Sequence, residues 1–187
     1  MNTMIGIKLL RDGAEIPCIK TKGSVGADLV CPEDVFIKPF HQIGHGTLVP
    51  LGFSLQIPNG YAVYLYLRSS TGLNTPLRLS NAVGVVDADY TGEVGLLLDN
   101  LSNQTIHIAK GTALAQMILK KQDKYEFKLM CPVYGEKKVP TTPTLEHRTG
   151  GFGSTTTTSP TVAKKTRTRR KKEMLTAERI SEKNYEN

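Results

Sequence analysis

Hydrophobic residues in this chain come in short runs, each cut off by Gly, Pro, Asn or Asp before a long helix could form. The runs are MIGIKLL (4–10), TLVPLGFSLQI (47–57), YAVYLYL (61–67), EVGLLLDN (93–100) and ALAQMILKK (113–121). They are rich in Val, Leu, Ile and Tyr, and the branched and aromatic members of that set pack well on a pleated surface. PNG, between Ile57 and Tyr61, and DNLSNQ (99–104) carry the small polar residues that turns need. Helical periodicity is nearly absent before residue 170. Short strands repeated at roughly 8–12-residue spacing predict an all-β sandwich or barrel.

That pattern stops near Thr141. TTPT and then TGGFGSTTTTSPT (149–161) contain almost no core-forming residue except Phe152. The reading is a core domain over 1–140, a flexible Gly/Thr-rich arm over 141–159 and a basic, disordered tail over 160–187. KKTRTRRKK (164–172) puts seven basic residues in nine positions of that tail.

Charge sharpens this division. The net charge is +7, but nine of the 24 Lys and Arg and only four of the 17 acids lie in 160–187. The remainder is nearly balanced, so the main domain does not recognise a partner by being globally basic. At 187 residues, without Trp, the chain is long enough for one core built mostly of Val, Leu and Ile. No apolar run approaches the roughly 18 residues that cross a bilayer. The start, MNTMIGIKLLRDG, lacks the layout of a signal peptide. An intracellular protein of cytoplasm or nucleus is expected, with no membrane partner. Cys18, Cys31 and Cys131 are odd in number and form no C-x-x-C pair. Free thiols are expected, with neither a disulfide framework nor a zinc site.

Two stretches have the chemistry of phosphate contacts. RSST (68–71) pairs an arginine with hydroxyls at a strand end. GGFGST (150–155), preceded by Arg148, offers unobstructed backbone N–H groups, two hydroxyls and a guanidinium. A solvated turn and a plain linker are the bland alternatives, although an aromatic between glycines is wasted in a linker and suits stacking on a base. Asp28 interrupts an apolar strand, and Asp87, Asp89 and Glu93 cluster around NAVGVVDADYTGEV (81–94). Such acids are either turn residues, or carboxylates that hold Mg²⁺ and activate water. The four histidines show no metal-ligand spacing, no G-x-x-x-x-G-K-[ST] loop is present, and no nucleophile elbow supports Ser/His/Asp catalysis.

Taken in order, VGADL (25–29), RSSTGL (68–73), NAVGVVDADYTGEV (81–94), GTALAQMIL (111–119) and RTGGFGST (148–155) resemble the five motifs of the trimeric dUTP pyrophosphatase (dUTPase) family. The resemblance implies a jelly-roll-like β-clip fold, a homotrimer with an exchanged C-terminal arm, dUTP as substrate and Mg²⁺ as cofactor. It makes Asp87 the base that activates water against the α-phosphorus. Asn81 and the backbone of a hairpin around Gly84, Val85 and Val86 would read the uracil edge. Tyr90 would lie under the deoxyribose, and Asp28 would hold Mg²⁺ through water. Arg68, Ser69, Ser70 and Gln116 would grip the phosphates. Phe152 would stack on uracil, with Arg148, Gly153, Ser154 and Thr155 closing over the outer phosphates. Each site would draw on three subunits. Two departures stand out: Leu67 occupies a position where the family often has Pro, and Arg148 lies one residue nearer the aromatic than usual, with His147 in its place.

Three rival readings remain. A dCTP deaminase relative would share the fold, but Leu97 stands where that group has its glutamate. A non-catalytic regulatory module would have lost motif residues that are intact here. The basic tail suits a nuclear-import signal, weak nucleic-acid contact or a merely solvated charge run, and its lack of interleaved aromatics allows only salt-sensitive phosphate contact.

Overall fold

Among the described residues the chain forms ten strands and two short helices. The computed structural model describes residues 3–128 and Gly150. The elements are β1 (Gly6–Leu9), β2 (Ala27–Val30), β3 (Val35–Ile37), α1 (Phe40–Ile43), β4 (Thr47–Gln56), β5 (Tyr61–Leu67), α2 (Ser69–Asn74), β6 (Leu77–Leu79), β7 (Gly84–Val86), β8 (Glu93–Asn100), β9 (Ile106–Ile108) and β10 (Ala113–Lys121). The five long apolar runs of the sequence each contain one strand, and three of them match strand limits at both ends.

Two four-stranded antiparallel sheets carry the fold, ordered β1-β4-β8-β6 and β2-β10-β5-β7, with a small β3-β9 pair beside them. Alternation along the strands explains the layering. In β8, Val94, Leu96, Leu98 and Asn100 are buried, while Glu93, Gly95, Leu97 and Asp99 are only half-buried. Val49, Leu51, Phe53 and Leu55 of β4 pack in one cluster with Leu29, Val63, Leu65, Val86 and Met117 of the other sheet, and with Ile37 and Ile108. Each such side chain contributes about 1.5–3 kcal/mol when fully buried, so this two-sheet core is what stabilises the domain.

Asn100 is the polar exception inside that core. Its amide nitrogen donates to the carbonyls of Ile37 and Gln104, both at 2.8 Å, and its oxygen accepts from the backbone and hydroxyl of Ser102. The DNLSNQ turn is thereby tied to β3. At the other end of β8, the register against β4 shifts between Pro50 and Ser54. Gly52 sits in that irregularity at φ +76°, a left-handed conformation that glycine adopts without strain.

The PNG turn forms as expected, with Gly60 at φ +82° and Tyr61 N–H donating to Pro58. It does not close a hairpin, because β4 and β5 belong to different sheets. The hairpin expected around Gly84 and Val85 is also corrected. That segment is β7, and its strand partner is β5, with Gly84 opposite Leu65 and Val86 opposite Val63. The chain crosses from β6 in one sheet to β7 in the other, because Gly84 and Val86 find their burial against β5. Among the described residues, no helix is long and apolar enough to cross a membrane.

Candidate active site

The second sheet gathers most of the expected site residues. Asp28 of β2 lies opposite Gln116 of β10, which in turn lies opposite Tyr66 of β5. Residues paired across strands share a face, so this row lies on one side of the sheet. Arg68 follows β5 directly and opens α2, where a strand-end turn was one expectation. Its Nε lies 3.2 Å from Asp28 Oδ1, and its Nη1 donates to the carbonyl of Ala113 at 3.1 Å. Thr71, the buried residue of α2, donates its hydroxyl to the carbonyl of Leu114 and fixes the helix against β10. The RSST segment is therefore a built corner.

An open cleft of about 370 Å³ is lined by Asp28, Arg68, Ser69 and Gln116, together with Lys20, Ser24, Val25, Gly26 and Ile118. Ser70 is exposed on α2 and does not line it. A Cβ at Gly26 would stand 2.5 Å from Gln116 Oε1, so the glycine of VGADL leaves the space that the Gln116 side chain occupies. Lys20 and Ser24 carried no signal in the sequence. They reach the cleft because Cys18 pairs with Asp28 and a turn closed by Thr21 and Ser24 returns the chain beside β2.

The third-motif residues lie elsewhere on the same sheet. Gly84 and Val86 are buried in β7, and Val86 is only 7% exposed, so its side chain belongs to the core. Asn81 lies in an exposed turn in which Val83 N–H donates to Asn81 at 2.6 Å around Ala82 at φ +59°. That i→i+2 bond with a positive central φ is a rare, strained turn for a residue with a Cβ. Strain of this kind concentrates at functional sites. Asp87 begins the next turn, closed by Tyr90 N–H on its carbonyl at 3.2 Å. Tyr90 packs against the core and donates its hydroxyl to the carbonyl of Glu93 at 2.8 Å.

Asp87 does not line the Asp28–Arg68 cleft. In the strand order β2-β10-β5-β7, Val86 is three strands from Asp28 and three residues along from the Tyr66 row. At about 4.8 Å per strand and 3.3 Å per residue the two positions are about 17 Å apart. Arg68 leans toward Asp28, away from β7. The structure thus brings together Asp28, Arg68, Ser69 and Gln116, and separately Asn81, Gly84, Val86, Asp87 and Tyr90.

Glu93 has a structural task. Both its oxygens lie 2.6 Å from Arg11 Nη2, and Oε1 accepts the Gly52 N–H at 2.8 Å. Cys18 is an exposed free thiol and Cys31 a buried one, whose pKa burial pushes up to about 11. Among the described residues, no three His, Cys, Asp or Glu side chains converge as a metal site. Arg148, Phe152, Gly153, Ser154, Thr155, Cys131 and the 164–172 cluster lie outside the described residues.

Fold and cleft together define an all-β protein with a polar surface suited to phosphate. Known proteins make that class specific. A dUTPase family profile matches residues 12–156. A deoxyuridine 5'-triphosphate nucleotidohydrolase of Hydrogenobaculum sp. is 35% identical over 150 residues, 80% of this chain and 95% of the relative. One from Helicobacter pylori (strain P12) is 36% identical over 151 residues, covering 81% and 95%. Among solved structures, a dUTPase variant from phage phi11 of S. aureus, described with a coordinated structural Mg(II) ion, superposes with TM-score 0.61 at 22% identity over 68% of this chain and 97% of its own. A Staphylococcus bacteriophage 80alpha dUTPase variant with dUpNHpp gives TM-score 0.60 at 21% identity over 72% and 100%. The chain belongs to the dUTPase family. It is a hydrolase with that family's β-clip fold.

Proposed function

We propose that the protein hydrolyses dUTP to dUMP and pyrophosphate in a site shared between subunits of a homotrimer. The family match carries this reading, since residues 12–156 include Asp28, Arg68, Asn81, Asp87, Tyr90, Gln116 and the glycine-rich fifth motif. Asp87 orients a water and takes its proton as the oxygen attacks the α-phosphorus, and pyrophosphate leaves with the electrons of the bond it breaks. Arg68, Ser69 and Gln116 of one subunit, which line the cleft, hold the phosphates, with Ser70 next to them on α2, while Asp87 of another faces the α-phosphorus. The separation of about 17 Å within one chain supports that division.

Asn81 and the peptide groups of β7 bind the uracil edge. Cytosine would leave its reversed donor and acceptor unpaired there. Tyr90 lies beneath the deoxyribose and leaves no room for a 2′-hydroxyl. Residues 141–159 act as an arm in which Arg148 to Thr155 close over the nucleotide, with Phe152 stacked on the base. Residues 160–187 form a separate tail, whose cluster at 164–172 suits nuclear import.

The single carboxylate of Asp28 beside a phosphate cleft fits Mg²⁺, which characteristically takes one or two protein carboxylates and fills the rest of its shell with phosphate and water. Bound there through water, Mg²⁺ would neutralise phosphate charge. Asp28 itself also positions Arg68, which approaches it at 3.2 Å.

Asp87→Asn tests the mechanism. Nucleotide binding should persist while turnover falls by about 10²–10⁴. Near-native turnover would remove Asp87 from the role of base. Pyrophosphate release without ammonia, on dUTP in preference to dTTP, dCTP and UTP, tests the reaction itself.

A further inference from the structure

Lys20 lines the phosphate cleft beside Asp28, Arg68 and Gln116, yet it belongs to none of the five motifs. Its place follows from the chain path. Cys18 and Asp28 form an antiparallel bridge, Cys18 accepting the Asp28 N–H at 2.9 Å, and the Thr21–Ser24 turn closes the loop between them. Counted from that bridge, Lys20 falls opposite Gly26, the residue whose missing Cβ leaves room for Gln116. The cleft's other cation is already engaged, because Arg68 faces the carboxylate of Asp28. Lys20 has no ion pair among the described residues.

We infer that Lys20 is a further substrate-binding residue, whose ammonium contacts the distal phosphates of a nucleoside triphosphate. The inference rests on the proposed function, in which this cleft holds the phosphates. An Arg–Asp pair is close to neutral as a unit, whereas a triphosphate brings several negative charges. The additional lysine gives the cleft a net positive field, and its flexible stem lets the charge follow the ligand. The contribution should therefore scale with the phosphates beyond the first. It should also be modest and salt-sensitive, as befits an exposed cation.

Calorimetry on the full-length chain in EDTA tests this without turnover, using dUMP, a non-hydrolysable imido analogue of dUTP, and inorganic tripolyphosphate. Lys20→Ala should weaken the analogue and tripolyphosphate about three- to tenfold and leave dUMP within about twofold. Lys20→Glu should weaken them further, Lys20→Arg should restore most of the affinity, and high salt should erase the differences between variants. Equal loss for dUMP and the analogue, or no loss for either, would overturn the inference. A wild type that hydrolyses dUTP while Lys20→Ala binds normally would sink this inference alone. Lys20-dependent tripolyphosphate binding without dUTP hydrolysis would instead sink the proposed function and leave Lys20 as a polyphosphate ligand. If the wild type binds neither the analogue nor tripolyphosphate, both fail.

Discussion

In the β1-β4-β8-β6 sheet, polar side chains work on the protein itself, whereas in the β2-β10-β5-β7 sheet they line a cleft. Asn100 satisfies carbonyls inside the core, and Glu93 fastens the Gly52 irregularity to Arg11. Across the sandwich, Asp28, Gln116 and Arg68 line an open surface, and Asp87 follows the last strand of the same sheet. The division lets one layer specify the fold while the other carries groups that packing does not consume. Within the second sheet the groups divide again, about 17 Å apart, and neither half has what the other supplies.

That second division gives the largest effect to test. Asp87→Asn and Arg68→Gln should each be nearly inactive as pure proteins. Refolded together at equal amounts, random trimers should recover about a quarter of wild-type activity, because one site in four then pairs an intact Asp87 with an intact Arg68 from a neighbour. Recovery no greater than the two parents would mean that each chain builds its own site.

The first sheet should answer to stability instead. Asn100→Ala strands the buried carbonyl of Ile37, while the Gln104 carbonyl keeps the Ser102 hydroxyl, a loss of about 1–3 kcal/mol. Denaturant melts should show a lower midpoint at similar slope, with little change in KM while the protein remains folded. An altered KM at native stability would couple the two sheets more tightly than their separate roles suggest.

Gly26→Ala should show the reverse balance. The new Cβ meets Gln116 Oε1 at 2.5 Å, which can swing aside, and Gln116 Cβ at 3.2 Å, which needs only a slight parting of the strands, so melting should fall only modestly. Affinity for the substrate should weaken about three- to tenfold as Gln116 leaves the cleft. Unchanged affinity would show that Gln116 does not hold phosphate from its present position.

How much of this was legible in the sequence follows the range of the interactions. YAVYLYL, EVGLLLDN and ALAQMILKK coincide with β5, β8 and β10 because apolar and β-branched runs encode strands locally. The motif order placed Asp28, Arg68, Ser69 and Gln116 as candidates, and the sheet makes them neighbours. Lys20 was invisible, because only the Cys18–Asp28 bridge brings it to the cleft. Glu93 read as a candidate acid because its partners, Arg11 and Gly52, lie 82 and 41 residues away. The β7–β5 pairing was likewise missed, since Asn81–Val86 has turn residues on one side and core residues on the other, and only tertiary packing chooses between them.

The smallest expected effect lies beside both sheets, in the β3-β9 pair. Asp34 Oδ1 accepts the Lys110 N–H at 3.0 Å and faces His107 Nε2 at 3.2 Å, while the His107 ring stacks on Phe36 at 4.8 Å between centroids. The Lys110 backbone bond, then the His107 bond, hold the Asp34 pKa below its ordinary 3.8. A depressed folded-state pKa means that the ionised carboxylate stabilises the fold. The gain is full above the ordinary value and is lost as pH falls through the lowered one. The side chain is largely exposed, so screening keeps the effect slight. Asp34→Asn should melt slightly lower than wild type at neutral pH, and the two curves should converge below the ordinary carboxylate range. A gap in melting temperature that persists at acid pH would assign the effect to the shape of the side chain and not to its charge.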